Sequence, residues 1–113
     1  MKKFEIDYDR EGDSLFVYCE GKKSGGAVEI GNFVLDLDSN GNLVGIEFLD
    51  VSDFFKEIFS KVIDVSKIRE FNANVVNFRN TTNIINFSIT TDSGIERDKL
   101  IIPRIVKSPA VDY

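Results

Sequence analysis

From Phe33 to Leu49 the apolar residues fall on alternate positions on both sides of an Asn40-Gly41 pair. A period of two marks a strand with one buried face, and Asn-Gly readily takes the positive φ values of a tight hairpin turn. With those two residues as the turn, Phe33 faces Phe48, Leu35 faces Ile46 and Leu37 faces Val44. One side of the hairpin is then wholly apolar, and a slip of one residue would expose it. The same stretch, Asp36-Leu37-Asp38-Ser39-Asn40-Gly41-Asn42-Leu43-Val44-Gly45-Ile46-Glu47, also spells a calcium-binding loop. Such a loop needs a helix on each side. Here the entry segment contains Gly31 and alternates like a strand, and the exit through Phe48-Leu49-Asp50 is strand-like as well. A hairpin also carries Glu47 away from the ion that a calcium loop would wrap. The hairpin reading prevails.

Other segments follow the same logic. Phe4, Ile6 and Tyr8 alternate with Glu5, Asp7 and Asp9, which predicts a half-buried strand ending in the turn Arg10-Glu11-Gly12-Asp13. Leu15-Phe16-Val17-Tyr18-Cys19 is apolar on both faces, the pattern of a strand covered on both sides. A polar loop, Glu20 to Gly26, leads to a short strand at Ala27–Ile30. Phe54, Ile58 and Val62 recur every four residues, as do Phe55, Phe59 and Ile63, which predicts an amphipathic helix at about 52–63 capped by Asp50 or Ser52. Ser66 is placed to cap a further turn through Arg69. Strands return at Val75–Phe78, Ile84–Thr91 and Glu96–Ile102, and Lys107-Ser108-Pro109-Ala110 reads as a loose end or edge segment. The expected fold is α+β: one domain over residues 1–113, a mainly antiparallel sheet of six or seven strands, and one main helix.

The chain of 113 residues carries a formal charge of −5. That balance argues against a phosphate backbone as partner, so nucleic acid is not expected. Charge is also uneven: residues 1–64 hold 7 Lys+Arg against 14 Asp+Glu, and the remainder 7 against 5. Such asymmetry suits a head-to-tail contact between copies or a protein partner. The lone Cys19 cannot form an internal disulfide, the first residues turn polar too soon for a secretory leader, and no apolar run is long enough to span a bilayer. A cytoplasmic protein without a membrane segment is expected.

Candidate chemistry is sparse. With no His in the sequence, Cys19 has no imidazole to activate it, and zinc lacks its usual ligands. Ser24-Gly25-Gly26 lacks the lysine and spacing of a phosphate loop. Asp9 and Asp13 flank the first turn, where their side chains are expected to hold nearby backbone N–H groups rather than act as a catalytic pair. In the hairpin register Asp36, Asp38 and Glu47 share the face opposite Leu35 and Ile46. Three carboxylates there could hold calcium or magnesium loosely; otherwise they keep the sheet face soluble. No other cofactor is expected.

Two stretches carry a resemblance. Tyr8-Asp9-Arg10-Glu11-Gly12-Asp13-Ser14-Leu15-Phe16-Val17, and the acidic hairpin Val34 to Glu47 with the following Phe48-Leu49-Asp50, resemble in order and spacing a family of small bacterial and archaeal proteins, domain of unknown function 2283. The likeness covers about residues 4–53. It implies a small antiparallel sheet with a helix and carries over no catalytic residue. The expectation is a non-enzymatic protein-binding or structural module, a homo-oligomer in which a second copy, or the chain's own C-terminal strands, covers the second face of strand 15–19.

Overall fold

A computed structural model describes residues 1–78 and 82–103. Strands β1 (Lys2–Asp9) and β2 (Ser14–Tyr18) form a hairpin, followed by β3 (Gly26–Ile30), β4 (Phe33–Leu37) and β5 (Leu43–Phe48). Helix α1 (Val51–Phe59) and a short 3₁₀ turn (Val65–Lys67) lead to β6 (Glu70–Phe78), β7 (Thr82–Thr91) and β8 (Gly94–Pro103). All eight strands join one antiparallel sheet in the order β3-β4-β5-β2-β1-β6-β7-β8. The α+β architecture is as expected, with eight strands instead of six or seven. The tail Lys107-Ser108-Pro109-Ala110 lies outside the described residues.

The sheet is bent into two halves. β1 pairs with β2 through Glu5–Asp9 and with β6 through Lys2–Phe4, so it belongs to both. In a flat sheet β5 and β7, four strands apart, would lie about 19 Å from one another. Instead the Phe48 ring of β5 sits 6.1 Å from that of Phe87 in β7 and 5.9 Å from Phe71 in β6. The inner faces therefore meet, and α1 closes one end of the space between them. Phe55 of α1 meets Phe48 edge to face at 5.3 Å and stacks on Phe87 at 6.2 Å. Phe48, Phe55, Phe71 and Phe87 have no solvent exposure.

Four local expectations are corrected. The hairpin keeps Phe33↔Phe48 and Leu35↔Ile46, but the register shifts beyond Asp36, so Leu37 pairs with Leu43 rather than Val44. The turn thereby takes three residues, Ser39-Asn40-Gly41, with Gly41 at φ 84°, the arrangement of a bulged three-residue loop. Displaced from the β4 ladder, Val44 accepts a backbone hydrogen bond from Cys19 at 2.9 Å.

The helix stops at Phe59, a turn before the expected end at Ile63, because Ser60 takes the left-handed conformation at φ 56°. This lets the chain descend in extended form, so that Ile63, Val65 and Ile68 are buried while Val62 is 79% exposed. The 3₁₀ turn is capped by Asp64, whose carboxylate accepts from the Ser66 N–H at 3.1 Å, rather than by Ser66. β6 begins at Glu70, well before Val75. Asparagines at 72, 74 and 77 mask the alternation, but Phe71 and Ala73 are buried.

At the end opposite α1 the two halves part. They leave an apolar cleft of about 740 Å³ between Leu35, Leu37 and Leu43 on one wall and Ala73, Val75, Ile85 and Ile102 on the other.

Candidate functional site

Directly opposed residues of an antiparallel pair share a face. The outer face of the β1–β5 half therefore follows from the register: Asp7 and Glu47 flank Phe16, Glu5 and Gly45 flank Tyr18, Asp9 opposes Ser14, and Asp36 opposes Gly45. Glu5, Asp7, Asp9, Asp36 and Glu47 are thus gathered on one surface. At its centre the half-buried rings of Phe16 and Tyr18 stack at 5.1 Å with an interplanar angle of 19°. The C-terminal strands bend over the opposite, inner face, the one α1 also covers. Phe16 and Tyr18 so account for the second apolar face read from the sequence.

Asp36 and Glu47 line one shallow hollow with Asp7, Asp9, Ser14 and Phe16. Gly45 makes the approach possible: a Cβ there would lie 3.2 Å from the Asp36 carboxylate and 3.2 Å from the Phe16 ring. Asp38 is not in the hollow. Its carboxylate accepts from the backbone N–H of Asn40 at 2.8 Å and of Asn42 at 2.9 Å, and from the Asn42 amide at 3.2 Å. Those bonds, the Asn42 N–H foremost, hold its carboxyl below the ordinary value. Among the described residues no three His, Cys, Asp or Glu side chains converge closely enough to form a metal centre. Asp7 and Asp9 could have been added to the candidate set by carrying the register across the first hairpin. The β2–β5 pairing that brings them beside Glu47 has no local signal.

Asp13 plays a part that the sequence did not reveal. It sits at φ 50° in the β1–β2 turn, and its carboxylate reaches the start of α1. There it accepts from the Ser52 N–H at 3.1 Å and the Ser52 hydroxyl at 2.7 Å, and also from the Tyr8 hydroxyl at 2.8 Å. Its backbone carbonyl accepts from the Val51 N–H at 3.0 Å. Asp50 holds the N-cap position without a side-chain bond, so the helix is capped from 39 residues away. Burial pushes the Asp13 carboxyl up, but the bonds from Ser52 and Tyr8 outweigh it and hold the carboxyl below its ordinary value. The Tyr8 phenol is raised, chiefly because it donates to Asp13. Asp9 turns instead to the outer hollow, so the two carboxylates do not share a pocket.

The remaining candidates are structural in position. Cys19 is free and buried. The Ser24 hydroxyl donates to the Gly26 carbonyl at 3.3 Å. No helix among the described residues is long and apolar enough to cross a membrane.

The described residues define a class of protein: a small bent sheet with one α-helix, an acidic outer face and a carboxylate-capped helix start. Residues 5–52 match the family described as Protein of unknown function (DUF2283), which bears out the resemblance read from the two sequence blocks. The chain is 47% identical over 53 residues to the uncharacterized protein MJ0789 of Methanocaldococcus jannaschii, covering 47% of this chain and 46% of that one. It is 35% identical over 51 residues to a Methanosarcina mazei protein provisionally named a hypoxanthine phosphoribosyltransferase, covering 45% and 42%. The chain thus spans less than half the length of these curated relatives. No solved structure matches it.

Proposed function

We propose that this protein is a non-enzymatic association module that binds a second copy of itself head to tail. The observation that carries this reading is the opposition of two outer faces. The β1–β5 face presents carboxylates around the Phe16–Tyr18 stack. On the β6–β8 half, the register puts Lys3, Arg97 and Lys99 on the outer side with a single carboxylate, Glu70, among Asn72, Asn86, Ser88 and the exposed Ile95 and Ile101. Because the inner faces meet on one aromatic cluster, these outer faces point away from each other. A basic face on one side and an acidic, aromatic face on the other suit stacking in a heterologous contact. Edge-to-edge pairing of two β8 strands is less suitable. The registers centred on Arg97 or Asp98 that keep the faces aligned would set Glu96 against Asp98 or Arg97 against Lys99, like charge on like. The family match, from Glu5 to Ser52, coincides with the half that bears the acidic face.

Sedimentation of the full chain from micromolar to millimolar concentration tests the reading. Mass is expected to rise with concentration and to fall as salt is added. Reversing Asp7 and Glu47 to Lys, or Arg97 and Lys99 to Glu, is expected to weaken association at least about tenfold, and mixing the two variants should restore it. A strictly monomeric chain at low salt and millimolar concentration would sink the proposal.

A second reading draws on the hollow shared by Asp36 and Glu47 with Asp7 and Asp9: weak binding of calcium or magnesium. Asp38, the third carboxylate of the sequence-derived set, would contribute only by giving up its bonds within the turn. Titration with each cation is expected to shift the amide resonances of Asp36 and Glu47 at millimolar concentrations. Unmoved resonances there rule the reading out.

A further inference from the structure

We infer that the apolar cleft at the open end of the two half-sheets is a binding site for a small amphiphile with an anionic head, such as a medium-chain carboxylate. Its floor is preformed: Phe4, Leu35, Ala73 and Ile85 are each no more than 3% exposed. Its rim is open, with Val75 44% exposed. The volume of about 740 Å³ falls within the range of small-ligand pockets.

The polar groups at the cleft indicate the head group. The chain has 19 Asp and Glu residues, yet none lines this cleft among the described residues, and Lys2 is the only charged residue there. The amide of Asn83, on the inner side of β7 beside Ile85, accompanies it and can donate hydrogen bonds, whereas the Asn42 amide already donates to Asp38 and Asn74 has its side chain on the outer face. One ammonium and the Asn83 amide beside an apolar slot without carboxylates favour a carboxylate over an amine and an alkyl chain over a polar one. The site is separate from the outer faces proposed for association, so either proposal can fail without the other.

The test is a titration of the full chain with octanoate, decanoate and decylamine below their micelle concentrations, read by amide shifts. Decanoate is expected to move the amides of Leu35, Leu43, Ala73 and Ile85. Each added methylene between octanoate and decanoate should tighten binding about threefold to fourfold. Decylamine should bind more weakly, and Lys2→Glu should reverse that preference while leaving the fold intact. Absence of shifts at these residues, equal affinity for the amine, or no dependence on chain length overturns the proposal. Two other results also overturn it. A cleft that closes to decanoate as protein concentration rises would belong to a second copy. One that binds decanoate only after removal of residues 104–113 would belong to the chain's own C-terminal segment.

Discussion

Phe48→Ala is expected to destabilise the protein by about 3–5 kcal/mol, measured by urea unfolding with intrinsic tyrosine fluorescence and far-UV circular dichroism. The residue is fully buried, and its ring lies within 6.4 Å of those of Phe33, Phe54, Phe55, Phe71 and Phe87. Those neighbours come from β4, α1, β6 and β7, so one truncation loosens the helix and both halves of the sheet together. Edge-on and stacked ring pairs contribute beyond simple burial. A domain of this size has a total stability of about 5–15 kcal/mol, so the variant should approach the edge of folding at room temperature. Phe16→Ala is the control: the same residue type, half-buried on the outer face, is expected to cost about 1 kcal/mol or less. If the two variants unfold at the same urea concentration, the core does not lie where the bent sheet puts it.

Asp13→Ala comes next, at about 2–3 kcal/mol. The substitution removes an acceptor that serves the Tyr8 hydroxyl, the Ser52 hydroxyl and the Ser52 N–H at once. It also leaves an alanine at φ 50°, where a Cβ without a local hydrogen bond is strained. Asp13→Asn tolerates that backbone and should cost about 1 kcal/mol, the charge-assisted part. Its pH dependence has a definite sign. The Asp13 carboxyl is held below its ordinary value of 3.8, so ionisation is favoured more in the folded chain than in the unfolded one. Its contribution is complete above about pH 4 and is lost as pH falls through the lower, folded value. The stability gap between the native chain and Asp13→Asn should therefore be constant near neutrality and shrink in acid. Coupling Asp13→Asn with Ser52→Ala should fall short of additivity by about 1 kcal/mol. Additive losses would mean the helix start is held by something else.

The hairpin was legible because two independent signals agreed on it. Alternation from Phe33 to Phe48 set which side is buried, and Asn40-Gly41 set where the chain reverses. What the pattern did not resolve was the length of the turn. Asp38 holds three donors across the loop, and that local preference moved Leu37 onto Leu43 at the cost of a bulge. The helix was legible as a stripe but not at its end, since Val62 and Ile63 continue the stripe on paper. Ser60 leaves the helix, and Ile63 and Val65 are buried in the extended segment that follows, an outcome of core packing that the helical stripe does not encode. The acidic face was half legible. Asp36 and Glu47 follow from their own hairpin, whereas Asp7 joins them only through the β2–β5 ladder, between strands separated by the whole of β3 and β4.

By itself the amino-acid order determined what period and turn chemistry can encode: the strands, their faces, one helix, and an outer surface rich in carboxylates. Those properties are local, fixed by neighbours a few positions away. Tertiary structure alone decided that β1 bends between two half-sheets, that Phe48 meets Phe71 and Phe87, and that Asp13 caps a helix beginning 38 residues further along. Each of these joins groups far apart in the chain. Such contacts form only when the joint burial of many side chains outweighs the entropy of closing the loops between them, and no short window of sequence carries that sum.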